Sequence, residues 1–422
     1  MLGFGLHGRK TGEKSMRKAA SFTLAWVLWS PFAADAQAGA NAEIAALRAE
    51  IAALTTRLDR LEQTQAGDGG APPAALAAAP TIVAASPPPA DPAVLKFSGD
   101  MRYRHEAVND DASTERERQR IRARFAMTAD LTKDLRVGLT LATGGDDPVS
   151  ANQTLDTGFS RKPFGVDRAF FTWQATDELS ITGGKMANPF FRPGNHHLIY
   201  DGDLNPEGLA LRYNRTNWFA SFGGLWVEER ATADDSILLG SQFGYRRTLA
   251  GGKRLTAGVS YYDYLNTENQ LPFFDGVAAG NRLNAAGNYL NDFNDAELFA
   301  ELAFKAGNRP LSIFADYVTN SEAQDQDAGY AIGAAYGEVT TPGTWRIGYA
   351  YQRLEADAVI GTFTDSDWAG GGTDGRGHVF DVTYGFRTRW ALGFKYFLNE
   401  RGFAAGNERD YKRLQADVVF NY

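Results

Sequence analysis

The last ten residues, Arg413 to Tyr422, alternate between two kinds of surface, and the chain stops on an aromatic ring. Leu414, Ala416, Val418, Phe420 and Tyr422 share one face, while Arg413, Gln415, Asp417 and Asn421 share the other, where only Val419 is apolar. A strand of period two with one apolar and one polar face fits lipid on one side and water on the other. Such a strand cannot leave its edges unpaired in a bilayer, so it belongs to a closed barrel.

Composition agrees. A mean hydropathy of −0.34 and 22% charged residues exclude a bundle of membrane helices. Glycine (45 residues), Phe (27), Tyr (17) and Trp (8) suit short strands between turns. Arg9, Lys10, Lys14, Arg17 and Lys18 precede an apolar run from Ala19 to Trp29, and Ala36-Gln37-Ala38 offers small residues for cleavage. This reads as a secretory signal peptide over residues 1–38, with Met16 as an alternative start. The absence of cysteine excludes a lipid anchor through that residue, a disulfide framework and thiolate metal sites. Removing the net +3 of the leader from the stated −8 leaves −11, which argues against nucleic acid as a partner.

Ile44, Leu47, Ile51, Leu54, Leu58 and Leu61 repeat at alternating spacings of three and four, the seam of a left-handed coiled coil. Glu43 with Arg48, and Arg57 with Glu62, fall where a parallel assembly can pair them between chains. Residues 39–66 are therefore expected to form an oligomerisation helix in the periplasm, or else a solvated amphipathic spacer. Ile at a with Leu at d leans towards a dimer, whereas Arg57-Leu58-Asp59-Arg60-Leu61-Glu62 resembles a pattern of short trimeric coils, and the trimer is the expectation taken. Residues 67–93 are Ala, Pro and Gly with few large side chains, a semi-extended linker.

From Val94 to Tyr422 the chain reads as an all-β transmembrane antiparallel barrel of about sixteen strands. They start near Val94, Arg118, Asp134, Val166, Glu178, Glu207, Asn217, Asp235, Lys253, Phe293, Leu311, Asp327, Gly343, Arg376, Arg389 and Glu408. Short joins alternate with long ones, as in outer-membrane barrels with short periplasmic turns and long outer loops. Trp173, Trp218, Trp345 and Trp390 lie beside short joins, where a periplasmic aromatic girdle belongs.

Alternation also assigns the lumen. With Phe97, Met101, Tyr103, Ile121, Phe125 and Leu139 outward, Arg102, Arg104, Arg118, Arg120, Arg122, Arg124 and Arg136 point inward, an arginine ladder on one wall. Arg or Lys on the lipid face at mid-depth costs about 2–4 kcal/mol, which makes this choice of sides nearly compulsory. Glu297, Glu301 and Asp316 point inward from the strands diametrically opposite, so a basic wall is expected to face an acidic wall. Rings of basic side chains favour anions. The mature histidines His105, His196, His197 and His378 fall in no nucleophile, metal or phosphate motif. No catalytic residue, cofactor or metal is expected; His196 and His197 are adjacent and no spaced third ligand follows them.

Three segments carry a family resemblance: Pro148 to Leu155, Gly183 to Phe190, and Asp203 to Leu209. They resemble the putative-porin family of proteobacteria, over roughly Val94 to Tyr422, and the coil and linker are similar to the front end of phosphate-selective porins. The resemblance implies a passive outer-membrane channel, trimeric, and transfers no substrate or binding residues. In large porins the third outer loop often folds inward as a constriction, which by this likeness makes Arg192, Asp201 and Asp203 its polar lining. The terminal aromatic strand similarly looks like the signal read by the barrel-assembly machinery. The expected function is passive diffusion of small hydrophilic solutes or ions with an anion preference, with outer-membrane lipid and the assembly machinery as further partners. A structural tether to the cell wall through the coil is the alternative, and an outer-membrane hydrolase ranks third.

Overall fold

The computed structural model describes residues 94–422. The signal peptide, coil and linker expected over 1–93 lie outside the described residues.

Each alternating run forms a strand. In chain order these are β1 (Val94–Asp110), β2 (Arg116–Asp130), β3 (Leu135–Thr143), β4 (Phe164–Gln174), β5 (Leu179–Lys185), β6 (Glu207–Asn214), β7 (Trp218–Glu228) and β8 (Ser236–Thr248). The second half is β9 (Arg254–Leu265), β10 (Phe293–Ala306), β11 (Arg309–Asn320), β12 (Ala328–Gly337), β13 (Trp345–Leu354), β14 (Gly375–Arg387), β15 (Trp390–Arg401) and β16 (Arg409–Asn421). Every strand pairs antiparallel with its neighbours in sequence, and a two-residue segment, Gln153–Thr154, continues the sheet beside Arg120 and Ile121 of β2 above the end of β3.

The ring closes where β1 meets β16, with Asp100 opposite Asn421 at one end of the seam and Asp110 opposite Tyr411 at the other. Closure satisfies the backbone donors and acceptors that lipid cannot. The terminal aromatic adds a clasp. Tyr422 exchanges backbone hydrogen bonds with Gly99 at 3.0 Å each way, and its hydroxyl donates to the Arg124 carbonyl on β2 at 2.8 Å. A Cβ on Gly99 would lie 2.5 Å from the tyrosine ring, so only glycine lets the ring cross β1.

Phe97, Phe125, Phe222, Leu298, Ile332 and Phe394 stand 40–60% exposed around the outside. A soluble monomer does not expose an apolar belt of this extent, whereas a bilayer solvates it. Trp173, Trp218 and Trp390 stand outward beside short turns, as the girdle requires. Trp390 packs edge-on against Phe420 with ring centroids 4.6 Å apart, and Trp345 lies under the Arg309 guanidinium at 4.4 Å.

The long joins fold into the barrel as well as over it. The third outer loop (residues 186–206, here L3), the fifth (266–292, L5) and the seventh (355–374, L7) bury Phe190, Leu198, Ile199, Tyr200, Phe273, Tyr289, Val359, Ile360 and Trp368 against inward side chains of β7–β15. L5 and L7 are stitched together: Asn281 donates to the carbonyls of Ala356 and Val359 at 2.7 and 2.8 Å, and Arg282 pairs with Asp357 at 2.7 Å. A hydrophobic core thus fills part of one half of the interior.

Candidate functional site

The charged side of the lumen is the wall made by β16, β1 and β2, whose guanidiniums are mostly little exposed because L3 and L7 lie against them. Register brings Arg102 opposite Arg122 and Arg104 opposite Arg120, like charges placed directly across from one another. Such pairs repel unless acids are interleaved. The sequence interleaves them. Asp100 accepts from Arg122 at 2.9 Å and from Arg124 at 2.6 Å. Asp417 takes the Nε and Nη2 of Arg104 in a fork at 2.7 and 2.8 Å. Glu106, with no exposed surface, accepts from Arg118, from Arg413 and from the Gln415 amide. Counting Arg413, seven guanidiniums meet five carboxylates: Asp100, Glu106 and Asp417 from the wall, Asp203 from L3 and Asp367 from L7.

Three outer loops reach this wall. Asp203 of L3 lies 3.4 Å from Arg122 and 3.3 Å from Arg124. Asp367 of L7 lies 3.1 Å from Arg104. Asn152 of the second outer loop accepts from Arg102. A bulge in the β3–β4 pairing at Thr140 and Leu141 helps bring both Asp167 and Arg168 to a neighbouring cavity of about 360 Å³, lined also by Asp100, Arg124, Arg192 and Asn205.

L3 crosses from β5 to the far wall and is anchored at each step. Ser221 on β7 donates to the Pro189 carbonyl at 3.0 Å. Gln242 on β8 brackets the backbone of Phe191 at 2.6 and 3.0 Å. The Gly194 amide donates to Glu301 on β10 at 2.8 Å, and His196 lies 2.6 Å from Gln352 on β13. Phe190 enters a slot over Gly240, where a Cβ would come within 2.3 Å of the ring.

Every arginine of the expected ladder points inward, but the opposed acidic wall takes a different form. Glu297 and Asp316 are on the inner face yet only 6% and 5% exposed, because L3 and its bracket cover them. Gln242 joins Phe191 to Ser260, Ser260 donates to Glu297, and Tyr262 does so at 3.2 Å. Glu301 holds L3 rather than facing open water. A basic wall facing an acidic wall across solvent is therefore corrected: the arginines are balanced by acids beside them, and the distant acids are buried. Arg136 sits at the periplasmic rim, half exposed, paired with Asp130 at 2.5 Å and away from the cluster.

Within L3 the three expected residues also separate. Asp203 meets the arginines. Arg192 turns back to donate to the Tyr200 carbonyl at 3.2 Å. Asp201 is buried and accepts from the backbone amides of Asp203 at 2.7 Å and Ser366 at 3.0 Å, a staple between L3 and L7. Burial, together with the nearby Asp365 and Asp203 carboxylates, pushes Asp201 well above the usual carboxylate range. Asp367 goes the other way: burial would raise it, but Arg413 and Arg104 outweigh that and hold it well below. Burial, with Arg192 and Lys395 close by, brings His197 down to about 4 although Asp365 opposes the shift.

Sequence reasoning missed L7 altogether, and with it Asp365 and Asp367. The signal was present in Ala358-Val359-Ile360 and Trp368, apolar residues in an outer loop that have no reason to face water. Arg413 and Asp417 lie on the polar face of the last strand, and only ring closure brings them to Glu106 and Arg104 of β1.

A model of the putative-porin family matches residues 105–284 and 283–408. Among solved structures, the high-pH structure of Pseudomonas putida OprB is similar at 13% identity with a TM-score of 0.55, covering 78% of this chain and 94% of that one. A triple mutant of Rhodopseudomonas blastica porin follows at 10% identity and a TM-score of 0.47, covering 78% of this chain and 100% of that one. A loop-deletion mutant of OmpT, an outer membrane protein of Vibrio cholerae, stands at 11% identity and 0.46, covering 79% of this chain and 100% of the other. Only the first is near enough in shape to speak for the fold, and none speaks for more than that. No curated protein matches.

Proposed function

Since the chain belongs to the putative-porin family and is an outer-membrane channel protein rather than an enzyme, we propose that it passes small hydrophilic solutes and ions by diffusion along the β16–β1–β2 wall, with a modest anion preference. The observation that carries this reading is the surplus of guanidiniums over carboxylates on that wall. Because most arginines are paired, the residual field is small, so the preference is weak rather than strong.

Reversal potentials in planar bilayers test it. The parent channel is expected to favour chloride over potassium. Replacing Arg120, Arg122 and Arg124 together by Gln leaves four guanidiniums against five carboxylates on the wall, and the preference is expected to pass to cations. An unchanged ion preference would remove the ladder from selectivity.

The same reading takes the assembly as a homotrimer, on the strength of the heptad seam from Ile44 to Leu61 and the charge pattern from Arg57 to Glu62. The C-terminal strand serves as the mark for the barrel-assembly machinery. Light scattering in detergent, comparing the mature chain with one beginning at residue 67, should give three copies for the first and a lower mass per particle for the second if the coil drives association.

A further inference from the structure

We propose that His197 and Asp201 of L3 and Asp365 of L7 form a divalent-cation site of the zinc class that ties the two loops together inside the lumen. One ligand atom from each lies within 4.8 Å of the others. Zinc bonds to imidazole nitrogen and carboxylate oxygen run to about 2.0–2.2 Å, so the three atoms need to draw in by about an ångström to share one ion.

The charge pattern singles out this cluster. The five carboxylates of the arginine wall each lie within 4.0 Å of a guanidinium. Among the described residues, Asp201 and Asp365 have no Lys or Arg within that distance, and Arg192, the nearest basic residue of L3, donates to the Tyr200 carbonyl instead. Two adjacent carboxylates with little exposure and no cationic partner are costly, and a shared cation removes that cost.

The ligand atoms are also oriented as a metal site requires. The backbone amides of Asp203 and Ser366 fix the Asp201 carboxylate, while those of Asp367 and Trp368 hold Asp365 Oδ1 at 2.8 and 3.3 Å. These are the outer contacts that set ligand direction. Asp365 Oδ2 then has no hydrogen-bond donor among the described residues and faces His197 Nδ1 at 3.7 Å, too far for a hydrogen bond and about right for two atoms flanking an ion. His197 and Asp365 line a cavity of about 390 Å³ bounded by β11–β16, which supplies a route for the ion and room for water ligands. The imidazole favours zinc or a similar transition ion over calcium, which takes oxygen ligands. The neighbouring-histidine pattern alone could not reveal this, because the carboxylate that completes the set is 168 residues away in the sequence.

The test is saturation binding of zinc chloride to the refolded full mature chain in detergent, in a non-chelating buffer. One site per protomer is expected in the low micromolar range or tighter. Asp365→Asn and His197→Gln, each checked for the folded barrel by resistance to SDS at room temperature, should weaken it at least tenfold. X-ray absorption of the zinc-loaded parent gives a readout that needs no variant, and should show one imidazole with oxygen neighbours. No binding below about a millimolar, undiminished binding in both folded variants, or a zinc shell without imidazole would each overturn the proposal.

Discussion

The two halves of the interior are built by opposite means. Along β16, β1 and β2 the inner face is charged, and its charges are held in place by acids from the same wall and by Asp203 and Asp367 at the tips of two loops. Along β7–β15 the inner face mixes apolar with polar side chains, and much of it is covered by L3, L5 and L7 around Phe190, Tyr262, Tyr289 and Trp368, leaving the cavity of about 390 Å³ along β11–β16. The difference shows how one closed sheet can hold its loops in two ways, by charge and by apolar packing. On one side guanidiniums hold the loop tips through Asp203 and Asp367, while on the other rings and glycine slots take up chain.

The sharpest way to break the comparison is at Arg413, 3% exposed and bonded to Glu106, which has no exposed surface. Arg413→Leu leaves Glu106 and Asp367 short of their main cation and should cost about 3–5 kcal/mol, read as a lower urea midpoint for the folded barrel in detergent. On the other half, Phe190→Ala empties the slot over Gly240 and should cost about 3 kcal/mol. There the loss is local: L3 should become open to protease and the single-channel conductance should rise, with the ion preference unchanged. Equal effects on ion preference from both substitutions would mean that the halves are not separate. The smallest effect is expected at the seam. Tyr422→Phe removes the hydrogen bond to the Arg124 carbonyl and should lower stability by about 1 kcal/mol in the same urea measurement.

The barrel was legible because lipid enforces a local rule. A charged residue on the outer face is penalised whatever its neighbours do, so alternation alone located Val94, Phe293 and Glu207 as strand starts and turned the arginines inward. Loop direction obeys no local rule. Glu297 and Asp316 could be placed on the inner face from the sequence, but not beneath L3, since their cover comes from Phe190 and Phe191 about a hundred residues earlier. The pairing of Arg104 with Asp417 likewise depends on the register at which β1 closes on β16, which is set only once the ring is complete. Asp367 required knowing that L7 turns inward, and the apolar run at Ala358-Val359-Ile360 with Trp368 was the local hint.

The central claim, that solutes travel along the charged wall and not through the part of the other half that L3 covers, can be tested directly because the chain has no cysteine. Ser98, exposed beside the cavity at Asp100 and Arg124, and Ser260, 6% exposed behind L3, are each replaced by Cys. A charged, water-soluble thiol reagent is then added during single-channel recording. A stepwise change in current at Ser98→Cys with none at Ser260→Cys is the expected result. Rapid modification of Ser260→Cys with a silent Ser98→Cys would contradict the account.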